Sequence, residues 1–367
     1  MKLVLFVHSL ASDWNHGNAH FLRGIVRELR AAGHEVVVYE PRDAWSRAQL
    51  AAAEGEKFVN DLAVRYPSIR YDRSLDVAAA VEGADAVLVH EWNEPWLVAA
   101  VGASGAVALF HDTHHRAVTA PRELARFDLG GYAGVLAFGA AVADVYRARG
   151  WHDRVWVWHE AADTAVFRPL ETHKTGDLVW IGNWGDDERT RELETFLLGP
   201  ARRLGLRGVV HGVRYPPAGV DAVEDAGLSF GGWLPNDRVP EVFARHRVTV
   251  HVPRRPYVEA LPGVPTIRVF EALACGIPLV SAPWDDVEGL FRGGDFARVR
   301  DGAEMERALH DLLRDEEQAR ELAARGLETI RARHTCAHRV AELTDVLRQV
   351  GAGGTHAPAV AVAEPAA

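Results

Sequence analysis

Cysteine is scarce in this chain of 367 residues: Cys275 and Cys336 are the two present. Two cysteines cannot build a disulfide framework, nor a cysteine-based zinc site on their own. Long apolar runs are missing as well. No stretch reaches the roughly 18 uninterrupted apolar residues of a membrane span. The opening "MKLVLFVHSLASDW" carries one lysine and too short an apolar run for a signal peptide. Positive charge is in deficit, with a formal net charge of −10. That balance argues against nucleic acid or an anionic membrane surface as partner. The basic clusters "RARG" and "ARR" read as solvated helix faces. These absences leave a cytoplasmic globular protein with no integral membrane segment as the expectation. The length exceeds one ordinary core, so two domains are expected.

What is present is alternation. The runs "LVLFVH" (3–8), "EVVVYE" (35–40), "AVLVH" (86–90), "AVALFH" (106–111), "GVLAF" (134–138) and "VWVW" (155–158) alternate with helical patterns. Such runs suit parallel strands buried on both faces. Between the first two, Phe21, Leu22, Ile25, Val26 and Leu29 share one helix face, and Gly33 stands where a C-cap glycine belongs. Short β-α-β connections predict right-handed crossovers and a doubly wound α/β sheet. The pattern restarts with "DLVWIG" (177–182), "GVVHG" (208–212), "LSFGGW" (228–233), "VTVHVP" (248–253) and "PLVSAP" (278–283). A Rossmann-like domain is therefore expected over 1–165 and a second over 174–333. A terminal helix over 334–350 could cross back onto the first domain. An Ala/Pro/Gly-rich tail over 351–367 is expected to be disordered. Both sheets should turn their strand C-termini toward a shared cleft.

The segment "PGVPTIRVFEALACGIPLVSAP" (262–283) carries the most chemistry. Pro265 precedes a helix on which Arg268 and Glu271, three apart, are neighbours. Two readings stand open. One is an ordinary surface pair worth about 0.2–0.5 kcal/mol. In the other, free amides at the helix start receive a diphosphate, Arg268 adds charge, and Glu271 accepts hydrogen bonds from ribose hydroxyls. Of the eleven tryptophans, those in "WHDRVWVW" read as core, whereas Trp14, Trp184 and Trp233 fall on expected cleft loops.

"RVFEALACGIPLVS" resembles the donor-site helix of GT-B glycosyltransferases of family 4 type (glycosyl transferases group 1), particularly the branch similar to the spore maturation protein CgeB. Further segments match in the expected order. "WNHGNAHFLRGIVRELRAAGHEVVVYEP" is similar to the acceptor-side loop and helix, and "FHDTHHRA" falls where the family carries His or Tyr then Asp after a strand. "EAADTAVFRP" resembles the interdomain link. "VWIGNWGDDERTRELETFLLGPARRLG" resembles the first strand and glycine loop of the donor domain, and "GGWLPNDRVPEVFARHRVTVHVPR" its base-binding turn. The resemblance spans residues 1–345.

It implies a GT-B fold, two Rossmann-like domains facing a central cleft. The implied activity is transfer of a sugar, with retention, from a nucleotide-diphosphate sugar to an acceptor hydroxyl. Glu271 would hold the ribose, Trp233 and Leu234 the base, and the amides near Pro265, Thr266 and Ile267 the diphosphate. Gly182 and Asn183 would lie against phosphates or sugar, with Trp184 beside them, and Arg214 and Arg268 would neutralise the leaving diphosphate. His111 and Asp112 would bind or orient a sugar. Gly17, Asn18 and His20 would form the acceptor-side wall or meet a phosphate. No cofactor is implied beyond the co-substrate, with UDP or GDP as its nucleotide and a sugar, lipid or small molecule as acceptor. No metal site is expected, because no Asp-any-Asp triplet and no H-E-x-x-H occurs. One departure stands out. The position eight residues before Glu271, where the family carries another glutamate, is Gly263, and Glu259 is out of register. That loss keeps an inactive nucleotide-sugar-binding subunit in view, and a nucleotide-sugar epimerase on the same fold is the other alternative.

Overall fold

The computed structural model describes residues 1–185 and 187–353. Two parallel sheets form its frame. The first orders seven strands as β3-β2-β1-β4-β5-β6-β7: β1 (Lys2–Phe6), β2 (Glu35–Pro41), β3 (Ile69–Tyr71), β4 (Ala86–His90), β5 (Ala108–Asp112), β6 (Gly134–Ala137) and β7 (Val155–Val157). The second orders six as β10-β9-β8-β11-β12-β13: β8 (Gly176–Ile181), β9 (Gly208–His211), β10 (Leu228–Phe230), β11 (His246–His251), β12 (Leu279–Ser281) and β13 (Ala297–Arg298). Helices cover both faces, so β4, β5 and β6 are buried along their whole length. That burial is why each reads as an unbroken apolar run rather than an alternating one. Among the described residues, no helix is long and apolar enough to cross a membrane.

Two strands escaped the sequence reading. β3 is an edge strand with Ile69 exposed, and β13 is two residues long, so neither presents an apolar run. The helix that follows β8 begins at Thr190 and widens into a π-turn over Glu194–Leu198. There Gly199 donates to Glu194 O, and Pro200 has no N–H to continue the ordinary ladder.

The final helix, Cys336–Gln349, crosses back onto the first domain. Val340, Leu343 and Leu347 join a core cluster with Leu22, Ile25 and Leu29 of helix Ala19–Ala31. Trp158 Nε1 donates to Arg339 O at 2.9 Å. Of the expected disordered tail, Gly351–Gly353 are ordered as a turn and Ala352 is buried. Residues 354–367 lie outside the described residues.

In each sheet the winding reverses between two strands, β1 with β4 and β8 with β11. Ligands of open parallel sheets bind outside the strand C-termini at such reversal points.

Candidate active site between the two sheets

A cavity of about 700 Å³ opens between the two reversal points, inside the roughly 300–1,000 Å³ of small-molecule sites. One wall comes from loops of the second sheet. Gly182 and Asn183 follow β8, Arg214 follows β9, Trp233 and Leu234 follow β10, and Arg254 follows β11. The opposite wall carries Trp14 through Asn18 after β1, Trp92 after β4, His114 after β5 and Glu160 after β7.

Two helices begin at this cavity. Thr266 is the N-cap of helix Ile267–Ala274, yet its hydroxyl pairs with His251 Nε2 at 3.1 Å instead of capping. His251 Nδ1 in turn meets Ser281 Oγ at 2.9 Å, which fixes the ring. Asn18 is the N-cap of helix Ala19–Ala31, and its amide donates to the Glu160 carboxyl instead. Both helix starts thus lack a side-chain cap and keep amides available to a ligand. A Cβ on Gly17 would lie 3.4 Å from Ile267 Cγ2, so the two starts sit side by side. Amide groups and helix dipoles converging this way favour an anion.

Buried charges hold the walls still. Arg23 donates to Leu10 O, Ala11 O and Asp13, while Glu40 accepts from Leu10 N, Ala11 N and Ser9. Together they stiffen the loop from β1. Across the cavity Arg189 donates to Asn183 O and Val252 O, tying the ends of β8 and β11 together. Burial first, and then the positive charge of Arg254, pull the Arg189 guanidinium down to about 9. Gly185 makes room for it: a Cβ there would meet Arg189 Cγ at 2.6 Å, and its φ is +99°.

The acidic and imidazole groups are shifted by burial. Desolvation raises the Glu160 carboxyl to about 8, against the donation from Asn18 that lowers it. Glu160 is therefore uncharged at neutral pH. Asp13, the other lining carboxylate, is ion-paired to Arg23 at 2.9 Å and accepts Asn236 N–H across the cleft at 3.2 Å. His16 and His114 are pushed well below the ordinary histidine range, again chiefly by burial, and are neutral.

Several residues singled out in the sequence meet here: Gly17 and Asn18 on one wall, Gly182, Asn183, Arg214, Trp233 and Leu234 on the other, and Thr266, Ile267 and Arg268 at the helix start. Others do not line the cavity. His111 packs at 4.8 Å from Trp158 beneath it, and burial holds it near 3. Asp112 is fully buried, accepting from Tyr146 Oη at 2.7 Å and His114 N at 3.0 Å. The residues of that strand end that do reach the cavity are Thr113 and His114. Trp184 packs on Tyr215 at 5.4 Å, and Pro265 is not among the lining residues. Glu271 is fully buried; Arg268 Nη1 donates to one of its oxygens and His20 Nδ1 lies 2.7 Å from the other. Arg268, not Glu271 or His20, therefore faces the cavity. At Gly263 the backbone takes φ +86°, and a Cβ would meet Glu288 Cγ at 2.9 Å, so the turn itself calls for glycine. Glu160, Trp45 and Trp92 line the cavity without having been singled out, because tertiary contacts between distant loops bring them there.

The comparisons with known proteins agree with this architecture. Solved structures similar to the chain over most of their length share its two facing sheets, and the fold is GT-B. A glycosyltransferase from Rickettsia africae ESF-5 has 10% identity and TM-score 0.66, covering 96% of this chain and 99% of that one. Sucrose-phosphate synthase from Thermosynechococcus elongatus has 14% identity and TM-score 0.64, with the same coverages of 96% and 99%. T4 phage BGT in complex with its UDP-glucose substrate has 14% identity and TM-score 0.60, covering 95% and 99%. No curated protein matches the sequence. Residues 189–345 match the family model described as glycosyl transferase-like. The fold of the chain is GT-B, and residues 189–345 are similar to the glycosyl transferase-like family.

Proposed function

We propose that this protein transfers a sugar from a nucleotide-diphosphate sugar to an acceptor hydroxyl, with retention at the anomeric carbon and without a divalent metal. The observation that carries the reading is the pair of uncapped helix starts meeting beside Arg268 and Arg214. Amides and guanidinium groups there would hold the diphosphate, leaving Trp233 and Leu234 for the base. UDP and GDP are the nucleotides to test, and T4 phage BGT is known in complex with UDP-glucose.

Retention is supported by the state of the lining acids. Asp13 is spent on Arg23, and Glu160 is uncharged near neutrality. His16 and His114 are neutral but weakly basic. The strongest base beside the reacting carbon would then be the departing phosphate oxygen. As the bond from the anomeric carbon to phosphate breaks, the acceptor oxygen bonds to the same face and its proton passes to that phosphate. Arginines and helix starts would stabilise the charge that develops on the diphosphate.

Two measurements test the reading. Proton NMR of the product formed in excess EDTA should show the donor's anomeric configuration. An inverted product, or activity that appears only on adding manganese, overturns the retaining or the metal-free part respectively. In the second, Glu271→Ala releases Arg268 and His20 and should weaken UDP or GDP binding about tenfold, about 1.4 kcal/mol. Unchanged affinity by calorimetry would remove Glu271 from the donor site. A protein that binds nucleotide sugar but neither transfers nor hydrolyses it would be a binding subunit, and one that returns an epimerised donor an epimerase.

A further inference from the structure

The wall opposite the donor loops holds three tryptophans from three separate segments: Trp14 after β1, Trp45 at the start of helix Trp45–Glu54, and Trp92 after β4. The Trp45 ring lies 6.4 Å from Trp14 at 76° and 6.4 Å from Trp92 at 74°, so the three make an angled aromatic surface. Each outer support is in place. His8 packs against Trp45 at 4.7 Å and 31°, and the Arg116 guanidinium lies 4.0 Å over Trp92. Arg116 is itself engaged by Glu91 at 2.7 Å. Despite that bracing Trp45 stays 38% exposed, in a chain that buries most of its large apolar side chains. A braced aromatic left open toward a cavity is a binding platform rather than core.

The polar groups between the rings are neutral. Gln49 lies one turn beyond Trp45 on the same helix face, and Thr113 and His114 border Trp92. Buried His16 Nε2 and His114 Nδ1 have no hydrogen-bond partner among the described residues. An alkyl chain would leave these groups unsatisfied. A polyanion would find no lysine on this wall and an arginine already paired beneath a ring. A pyranose fits both features, offering C–H faces to the indoles and hydroxyls to the amide, hydroxyl and imidazole groups.

We propose that Trp14, Trp45 and Trp92 form the acceptor subsite and that the acceptor is an uncharged saccharide, its ring stacked on Trp45. This rests on the transferase reading above for its chemistry: a saccharide hydroxyl oxygen bonds to the anomeric carbon, the carbon–phosphate oxygen bond breaks, and the hydroxyl proton leaves on the nucleotide.

The test uses the full chain loaded with UDP. Intrinsic tryptophan fluorescence is followed while glucose, maltose, cellobiose or N-acetylglucosamine is added, and transfer from UDP-glucose to each is read by mass spectrometry. At least one of these saccharides should shift the emission and accept a sugar. Trp45→Ala should raise the KM for that saccharide about tenfold, with Trp45→Phe restoring most of it because a ring remains. Calorimetric UDP binding by each variant reports that it is folded. Unchanged saccharide KM in Trp45→Ala overturns the proposal, as does transfer only to duplex DNA or to phospholipid vesicles. Failure of the donor reading looks different: UDP and GDP then give no heat, while saccharide quenching through Trp45 still supports the subsite. Absence of quenching in a UDP-binding protein overturns the subsite alone.

Discussion

Glu160 shows how far one residue's chemistry depends on burial. Its folded-state pKa of about 8 stands above the ordinary 4.5. Below 4.5 both folded and unfolded forms hold the proton, so no stability is lost there. Between 4.5 and 8 the unfolded form ionises while the folded form does not, and stability falls as pH rises; above 8 the loss is complete. Glu160→Gln keeps an oxygen to accept from Asn18 and removes this penalty. Its melting temperature should exceed that of the parent at pH 8 by more than at pH 5. Function should shift over the same range. Once ionised, Glu160 sets a negative charge in the cavity beside the proposed diphosphate site, so donor affinity should fall as pH passes 8. Calorimetric titrations from pH 6 to 9 check this: the parent loses UDP affinity at the alkaline end and Glu160→Gln does not. A parent profile that is flat to pH 9 would take Glu160 out of the site. The sequence hid this residue, since Asn18 and Glu160 are separated by 142 positions and nothing local distinguishes a buried glutamate from a solvated one.

At the scale of elements, most of the frame was legible. Helix Ala19–Ala31 announced itself through the spacing of Phe21, Leu22, Ile25 and Leu29, and strands such as β4 and β5 through apolar runs that only double burial produces. Edge strands β3 and β13 left no such mark. The loops after β8 and β10, singled out through their resemblance to donor-domain motifs, line the cavity. In contrast, "FHDTHHRA" was placed one step out of phase: strand β5 extends through Asp112, so His111 and Asp112 stay inside and Thr113 and His114 emerge. What no local pattern shows is which face of the first helix meets the last. Gly24 marks that contact: a Cβ there would lie 2.4 Å from Cys336 Sγ and 3.0 Å from Asp163 Cβ. Gly24→Ala should therefore cost about 1–3 kcal/mol through overpacking, seen as a lower urea midpoint. Adding Cys336→Ala removes the nearest obstacle and should recover part of that loss. Strictly additive effects of the two changes in a double-mutant cycle would mean that the helices do not press together at Gly24.

For the whole molecule the question is whether two sheets behave as one body. The final helix returns to the first domain, and Glu288 adds a second tie, accepting Ala140 N–H at 2.9 Å and pairing with His159 at 3.0 Å. Ala140 opens helix Ala140–Ala148, so one carboxylate from the second domain serves a part-buried helix start in the first. Asn236 N–H donating to Asp13, and His20 beside Glu271, cross the same boundary at the cavity. With these ties the chain should unfold in one calorimetric transition. Glu288→Ala strips the helix start of its partner and leaves buried His159 Nε2 without its hydrogen-bond partner, at a cost of about 1–3 kcal/mol. The transition should then broaden or split as the domains melt separately. A nucleotide held as proposed, between helix starts from both domains, should reverse that separation. UDP at 100 times its Kd stabilises the joined state by about 2.7 kcal/mol and should draw the split transitions of Glu288→Ala together again. If UDP instead raises one transition and leaves the other where it was, the nucleotide touches a single domain, and the helix start at Asn18 takes no part in holding it.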